Sequence, residues 1–257
     1  CLIGDNTLMQ SFYIFNGCGA YGKSMLNLLF KEVFGDYYKS LDVSYLTSKR
    51  ANSAAASPQL AKLQGARIVI CFEPEHSDHL QSGKIKELSG GDEINTRQIY
   101  GTCSDWIPMF KTILLTNNKP NVNNCDPGFC RRVKIFQFPF KFVDEPKELY
   151  ERQKIDNLDR KFKLNQYKLA FIHILMKYKD IQIKTPDAIT DENDVYIENN
   201  NEFKTLFDNH YVIDINGRTT RDDIWTLFFD TFETSERNNR KPNYLYEQLR
   251  SLNVEPF

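Results

Sequence analysis

The stretch "FNGCGAYGKSMLNLLF", Phe15 to Phe30, decides how the rest of the chain is read. Gly17, four residues, then Gly22-Lys23-Ser24 fill a phosphate-loop pattern completely. Glycines there let successive backbone N–H groups turn inward around an anion. Lys23 is placed for the β- and γ-phosphates of ATP or another NTP, Ser24 for Mg²⁺, and a following helix turns its positive end toward them. The loop lies between β-prone "SFYIFNG" and "KSMLNLLFKEVFG", whose apolar spacing is helical and which stops at Gly35. Gly17, Cys18, Gly19, Ala20, Tyr21, Gly22, Lys23, Ser24 and Met25 form the candidate nucleotide-binding set, although the pattern gives Cys18 and Tyr21 no individual role.

Three further runs, "ARIVICFE", "KTILLTN" and "RRVKIFQFPF", read as strands, the first two almost continuously apolar. Strands of that kind are buried on both faces, as in a mostly parallel sheet covered by helices. With "SPQLAKLQG" as a short helix, the order is that of an α/β sandwich. A phosphate-loop enzyme needs an acid at a neighbouring strand end to hold Mg²⁺ and orient water. Glu73 ends the "RIVICFE" run, with Glu75 two residues on. Asn117, in "LLTNNKP", is a polar amide at a third strand end, suited to sensing a γ-phosphate. The spacing is compact: 50 residues from Lys23 to Glu73 and 44 from Glu73 to Asn117.

The bulk composition sets limits around this core. The chain has 257 residues, 41% hydrophobic and 26% charged, enough for one large domain or a core with an appendage. No apolar run reaches the roughly 20 residues of a membrane span, so no membrane partner is expected. It opens on Cys1, as expected of a piece of something longer. Six cysteines at irregular spacing read as free thiols; Cys125 and Cys130 form a C-x4-C pair without a second pair at zinc spacing. The net charge of −1 hides an asymmetry: residues 1–184 carry 26 basic and 19 acidic side chains, residues 185–257 carry 7 and 15. A polyanion is expected on the first two-thirds of the chain.

The order "CFEPE", "KELSGGDEINTRQIY", "TNNKP" and a double arginine followed by "PF" resembles the superfamily 3 helicases. More closely, it is similar to the helicase half of primase-helicases from large eukaryotic DNA viruses (poxvirus, asfarvirus and mimivirus-like) and related phage and plasmid primases. These motifs cover roughly residues 12–140. The resemblance implies an AAA+ core in a homo-hexameric ring with ATP sites between subunits. Lys23, Ser24, Glu73 and Asn117 would then act in cis, Arg131 or Arg132 as an arginine finger in trans, and Lys86 as a second trans contact to ATP, while Glu75 stays a further candidate catalytic acid from its place after the strand. It also implies a hairpin from Gly91 to Trp106 at a central channel, with Arg97 and Tyr100 near DNA, an upstream primase domain, and location in the host cell cytoplasm.

Three domains are expected: a core over 1–142, a helical connection over 143–184 and a winged-helix-like tail over 185–257. The segment "LYERQKIDNLDRKFKLNQYKLAFIHILMKYKD" reads as one long helical stretch, and "TPDAITDENDVYIENNNE" as a linker or loop. "TTRDDIWTLFFDTF" has a threonine cap and early acids, which suit a helix start. "PNYLYEQLRSL" makes another helix. The acidic balance of the tail argues against strong phosphate contact. The expected activity is that of a replicative helicase core that hydrolyses Mg-ATP and translocates on single-stranded or fork DNA. The alternatives are an ATPase that remodels protein or packages nucleic acid without unwinding, and a nucleotide-binding module without turnover.

Overall fold

The computed structural model describes residues 9–49, 57–97, 102–179, 181, 184–200, 207, 209–211 and 219–231. It divides into a compact unit through Asn200 and a second from Asn201.

The first unit is built on β1 (Phe12–Asn16), followed by α1 (Lys23–Phe34) and β2 (Tyr38–Ser40). Short helices α2 (Ser44–Thr47) and α3 (Pro58–Ala61) precede β3 (Ile68–Cys71). Next come β4 (His79–Leu80), α4 (Ser82–Gly90), and the strands β5 (Ile94–Arg97) and β6 (Cys103–Trp106). Then follow β7 (Lys111–Thr116), β8 (Asn121–Val122), α5 (Pro127–Cys130) and β9 (Val133–Gln137). The central sheet has the order β2-β3-β7-β1-β9, and every pairing in it is parallel.

The period-2 alternation of side chains divides the core between the two faces of this sheet. Phe12, Ile14, Val69, Cys71 and Leu114 point to one face, where Leu60, Ile85, Leu88 and Phe129 pack from α3, α4 and α5. Ile68, Ile70, Ile113 and Leu115 point to the other, against Phe30 and Phe34 of α1. Both β3 and β7 are buried along their whole length. That two-sided burial is why these strands are apolar at nearly every position.

The region after β9 differs from the expected single helical stretch. It forms β10 (Lys141–Val143) paired in parallel with β11 (Glu151–Gln153), then α6 (Leu158–Phe162) and α7 (Asn165–Lys177). Leu164 is extended at φ −77° and ψ 136°, which separates the two helices, and Asn157 starts α6 from φ 54°. Asparagine tolerates that left-handed conformation better than most residues. α7 packs on α1 through the Phe30 and Phe171 rings, whose centroids are 6.0 Å apart, and through Lys168–Glu32 at 2.8 Å.

The acidic segment expected as a loop is a helix, α8 (Asp187–Asn199). Its buried residues are Asn193 and Tyr196, with half-buried Asn200 at the C-cap, so two of these three inward side chains are amides and escape a search for apolar periodicity. Asn193 Oδ1 accepts from the Ile135 N–H at 2.8 Å on the outer edge of β9. Tyr196 donates to Pro120 O at 2.5 Å, and Asn200 Oδ1 accepts from the Val122 N–H at 2.9 Å. The helix thus satisfies backbone groups that an edge strand would leave open.

In the second unit, Arg221–Thr231 is helical. Thr220 Oγ1 accepts from the Asp223 N–H at 3.1 Å, and the Thr220 N–H and hydroxyl donate to Asp223 Oδ2 at 3.4 and 2.5 Å, so the threonine cap expected at this helix start is present. Of the winged-helix-like tail expected over 185–257, residues 185–200 belong to the first unit, and most of the rest, including "PNYLYEQLRSL", lies outside the described residues. Among the described residues no helix is long and apolar enough to cross a membrane.

Candidate nucleotide-binding site

β1 lies between β7 and β9, and the chain leaves its carboxyl end directly into the glycine loop. In open parallel sheets, ligands bind outside the carboxyl ends of the strands, where neighbouring connections diverge. The loop is anchored there by Gly17 N–H to Thr116 O at 3.3 Å and by Phe142 N–H to Ala20 O at 2.9 Å. Ala20 and Gly22 take φ of 66° and 87°. Gly22 is therefore required twice, because an added Cβ would also stand 3.1 Å from the Phe142 ring. α1 begins without a side-chain cap and without an acid in its first turn, which leaves its N-terminal N–H groups and positive end available to an anion.

Lys23, Glu73 and Asn117, distant in sequence, meet at the ends of adjacent strands. Lys23 Nζ donates to Asn117 Oδ1 at 3.0 Å, to Cys18 O at 3.2 Å and to Gly17 O. Asn117 Nδ2 donates to Glu73 Oε2 at 2.6 Å, and its backbone N–H to Glu73 Oε1 at 3.1 Å. Burial lowers the Lys23 ammonium from its ordinary value, while Glu73 and Cys18 oppose that shift. Carbonyl oxygens around the lysine hold the place that phosphate oxygens are suited to take.

The loop lines a cavity of about 1030 Å³ together with Phe72, Glu73, Thr116 and Asn117. Cys18 through Ser24 and Met25 all face it, and Ser24 is exposed within the cavity that Glu73 also lines. A hydroxyl at the helix start and a carboxylate at the next strand are hard oxygen donors, which fits Mg²⁺. Glu75 does not line this cavity; its N–H closes a turn on Asp78 Oδ2 at 3.2 Å.

The far wall of the cavity is aromatic and aliphatic: Phe138, Phe140, Phe142, Ile155, Leu158 and Phe162. Sequence reasoning quoted the "PF" pair as a motif without giving it a task. The signal was present in "FQFPFKF", where aromatic residues alternate beyond the buried strand. Phe15 packs behind Phe138 at 5.5 Å between centroids, and Arg152 lies 3.9 Å over the Phe140 ring. A flat apolar wall next to a phosphate loop suits a nucleobase.

The remaining predicted residues gather elsewhere. Lys86 and Arg132 share a second cleft of about 580 Å³ with Glu87, Asp92 and Glu93. Lys86 pairs with Asp126 at 2.6 Å, and Asp126 also caps α5 by accepting from the Phe129 N–H. Arg132 is 7% exposed, donates to Gly128 O at 2.6 Å and to Gln10 Oε1 at 2.8 Å, and leaves its Nε unpartnered. Burial, then the adjacent Arg131, lower its guanidinium from the ordinary value, against Asp126 and Asp92. Arg131 is exposed and donates to Gln10 Oε1 at 2.9 Å.

The expected hairpin is present: β5 and β6 pair antiparallel with Ile94 opposite Trp106 and Arg97 opposite Cys103. Trp106 Nε1–H donates to Thr96 Oγ1 at 3.0 Å and fixes its base. Arg97 is exposed at the last described position of the outgoing strand, while Tyr100 lies outside the described residues.

Fold and site together define an α/β core of the phosphate-loop kind, with a second cleft of mixed charge beside α4. Over 187 residues the chain is 37% identical to a provisionally named helicase, L207/L206, of Acanthamoeba polyphaga mimivirus, covering 69% of this chain and 19% of that protein. It is 26% identical to primase D5 of fowlpox virus, covering 74% of this chain and 26% of that protein. The apo structure of the NrS-1 C-terminal region superposes with a TM-score of 0.51 at 15% identity, covering 96% of this chain and 54% of that one, and so shares the fold. No family model matches the chain. The chain is a homologue of the helicase-named proteins of large DNA viruses and of poxvirus primase D5, and it spans a quarter or less of most of those relatives.

Proposed function

We propose that this chain is the ATP-hydrolysing core of a viral DNA helicase. The observation that carries the reading is the convergence of Lys23, Glu73 and Asn117 on the cavity mouth beside an uncapped helix start. The loop N–H groups and Lys23 hold the β- and γ-phosphates, while the Phe138–Phe142 wall receives the base. Mg²⁺, held by Ser24 and Glu73, supplies neutralisation of charge on the phosphate oxygens. Glu73 is the base-side group that orients the attacking water. Asn117, bonded to both Lys23 and Glu73, reports whether a γ-phosphate has separated them.

The second cleft completes a neighbouring site when subunits assemble. Arg131 is exposed enough to reach an adjoining phosphate, while Lys86 and Arg132 line a cleft of mixed charge with Glu87, Asp92 and Glu93. Such an arginine stabilises charge that develops on the transferred phosphoryl group. The β5–β6 hairpin, moved by hydrolysis, contacts single-stranded DNA through sequence-tolerant backbone and stacking contacts. The names of the D5 primase and helicase relatives support this partner and a primase region in the same polypeptide.

ATPase assays on the assembled protein test the reading. Expected is turnover that rises with single-stranded DNA and disappears in Lys23→Ala. Turnover indifferent to DNA would favour the remodelling activity instead.

A further inference from the structure

Cys125 lies two residues before the one-turn helix α5 and Cys130 is its last residue, and neither is used by the nucleotide site. Their sulfurs lie 3.4 Å apart, and Cys130 Sγ is also 3.4 Å from Cys125 O. Both side chains are half-buried against the main core. A disulfide needs a sulfur separation of about 2.05 Å, so roughly 1.4 Å of approach closes the bond. The other described cysteines offer no comparable pair: Cys71 is buried within β3, and Cys18 and Cys103 are exposed on separate loops and strands.

What these thiols bracket gives the pair a consequence. Between them lies Asp126, which caps α5 and binds Lys86. Gly128, also between them, accepts from Arg132 at 2.6 Å, and Arg131 and Arg132 follow Cys130 directly. An added Cβ at Gly128 would meet Asp126 Oδ1 at 2.9 Å and the Lys86 side chain at 3.2 Å, so this turn already has little slack. Any covalent tie across α5 therefore acts on both walls of the second cleft.

We propose that Cys125 and Cys130 are a reversible dithiol–disulfide site whose oxidation locks α5 and the Lys86–Arg132 cleft. The oxidant is a low-molecular-weight disulfide such as oxidised glutathione. The Cys130 thiolate attacks one glutathione sulfur, forming a mixed disulfide and releasing one glutathione thiolate. Cys125, losing its proton, then attacks Cys130 Sγ and releases the second glutathione. Two protein S–H groups are lost, one S–S bond forms, and one glutathione disulfide becomes two thiols. Cys130 is the better first nucleophile because its thiolate, 3.4 Å from Cys125 Sγ, accepts from the Cys125 S–H, a contact that holds Cys130 below the usual thiol value and raises Cys125.

The test uses the whole chain equilibrated in glutathione buffers from fully reduced to fully oxidised, then alkylated and peptide-mapped. Expected is a Cys125–Cys130 cross-linked peptide in oxidised buffer, reversed by dithiothreitol. Cys125→Ser is expected to trap glutathione on Cys130. Hydrogen exchange should slow roughly tenfold across residues 126–132 in the oxidised protein. In the Cys125→Ser variant that slowing should be absent. Absence of the cross-link in fully oxidised buffer overturns the site, and a cross-link without slower exchange overturns its effect on the cleft. Neither readout uses ATP, so loss of the proposed ATPase reading leaves the test intact.

Discussion

The Asn117 side-chain amide joins Lys23 and Glu73: it accepts from Lys23 Nζ at 3.0 Å and donates to Glu73 Oε2 at 2.6 Å. One short side chain thus bridges the cation proposed to hold phosphate and the carboxylate proposed to orient water. Asn117→Ala removes both contacts while sparing the loop backbone. Its kcat for ATP should fall about 10²–10³-fold, the range seen when one preorganised donor is lost. Nucleotide Kd should change by less than about tenfold, since the loop and helix start are intact. Steady-state ATPase and fluorescent-nucleotide titration separate the two, and a weakened Kd with kcat unchanged would place Asn117 in binding alone.

The two glycines at the loop's centre make opposite predictions. Gly22 sits at φ 87° against the Phe142 ring, whereas an added Cβ at Gly19 meets nothing within 4 Å. Gly22→Ala should destabilise the loop by about 1–2 kcal/mol through the left-handed backbone alone. Gly19→Ala should leave the thermal midpoint unchanged. Thermal denaturation with and without ATP measures both; a stabilised Gly22→Ala would mean that α1 propensity outweighs the turn.

Much of this site is legible in sequence because its parts are local. A glycine loop, an acid after an apolar run and an amide after another each occupy a strand end, and a parallel sheet brings such ends together. Lys23, Glu73 and Asn117 needed only the assignment of three strands. The aromatic wall was harder, since Phe138 lies in irregular chain beyond β9 and Phe142 in a three-residue strand placed by its pairing with β11. α8 was hidden for another reason. Its inward residues Asn193 and Asn200 serve backbone groups that no sequence pattern reveals, so its composition reads as a loop. Likewise, the double arginine gave no basis for separating exposed Arg131 from buried Arg132.

The α8 amide supplies a stability prediction. Asn193 is buried and accepts from the Ile135 N–H at the sheet edge. Asn193→Ala strands that donor, at a cost of about 1–3 kcal/mol. Urea denaturation should show the midpoint fall with little change in slope. A midpoint within error of the parent would mean water replaces the amide at no cost. A chain ending at residue 200 should keep the core's stability, whereas one ending at 184 should lose it.

The last prediction concerns pH and the packing of α7 on α1. Lys168 donates to Glu32 at 2.8 Å, and that hydrogen bond holds the Glu32 carboxyl below its ordinary value near 4.5. A carboxylate lowered in the folded state binds protons more readily when unfolded. Its contribution is therefore complete above the unfolded value and is lost as pH falls through the folded one. Because both side chains remain partly solvated, the pair is worth only about 0.2–1 kcal/mol at neutral pH. A double-mutant cycle with Glu32→Gln and Lys168→Met should give that coupling at pH 7. The coupling should begin to shrink near pH 4.5 and vanish at lower pH as Glu32 becomes protonated in the native state. Coupling that persists below pH 3 would mean that α7 is held to α1 by the Phe30–Phe171 contact and the aliphatic stems, with no part played by the charge.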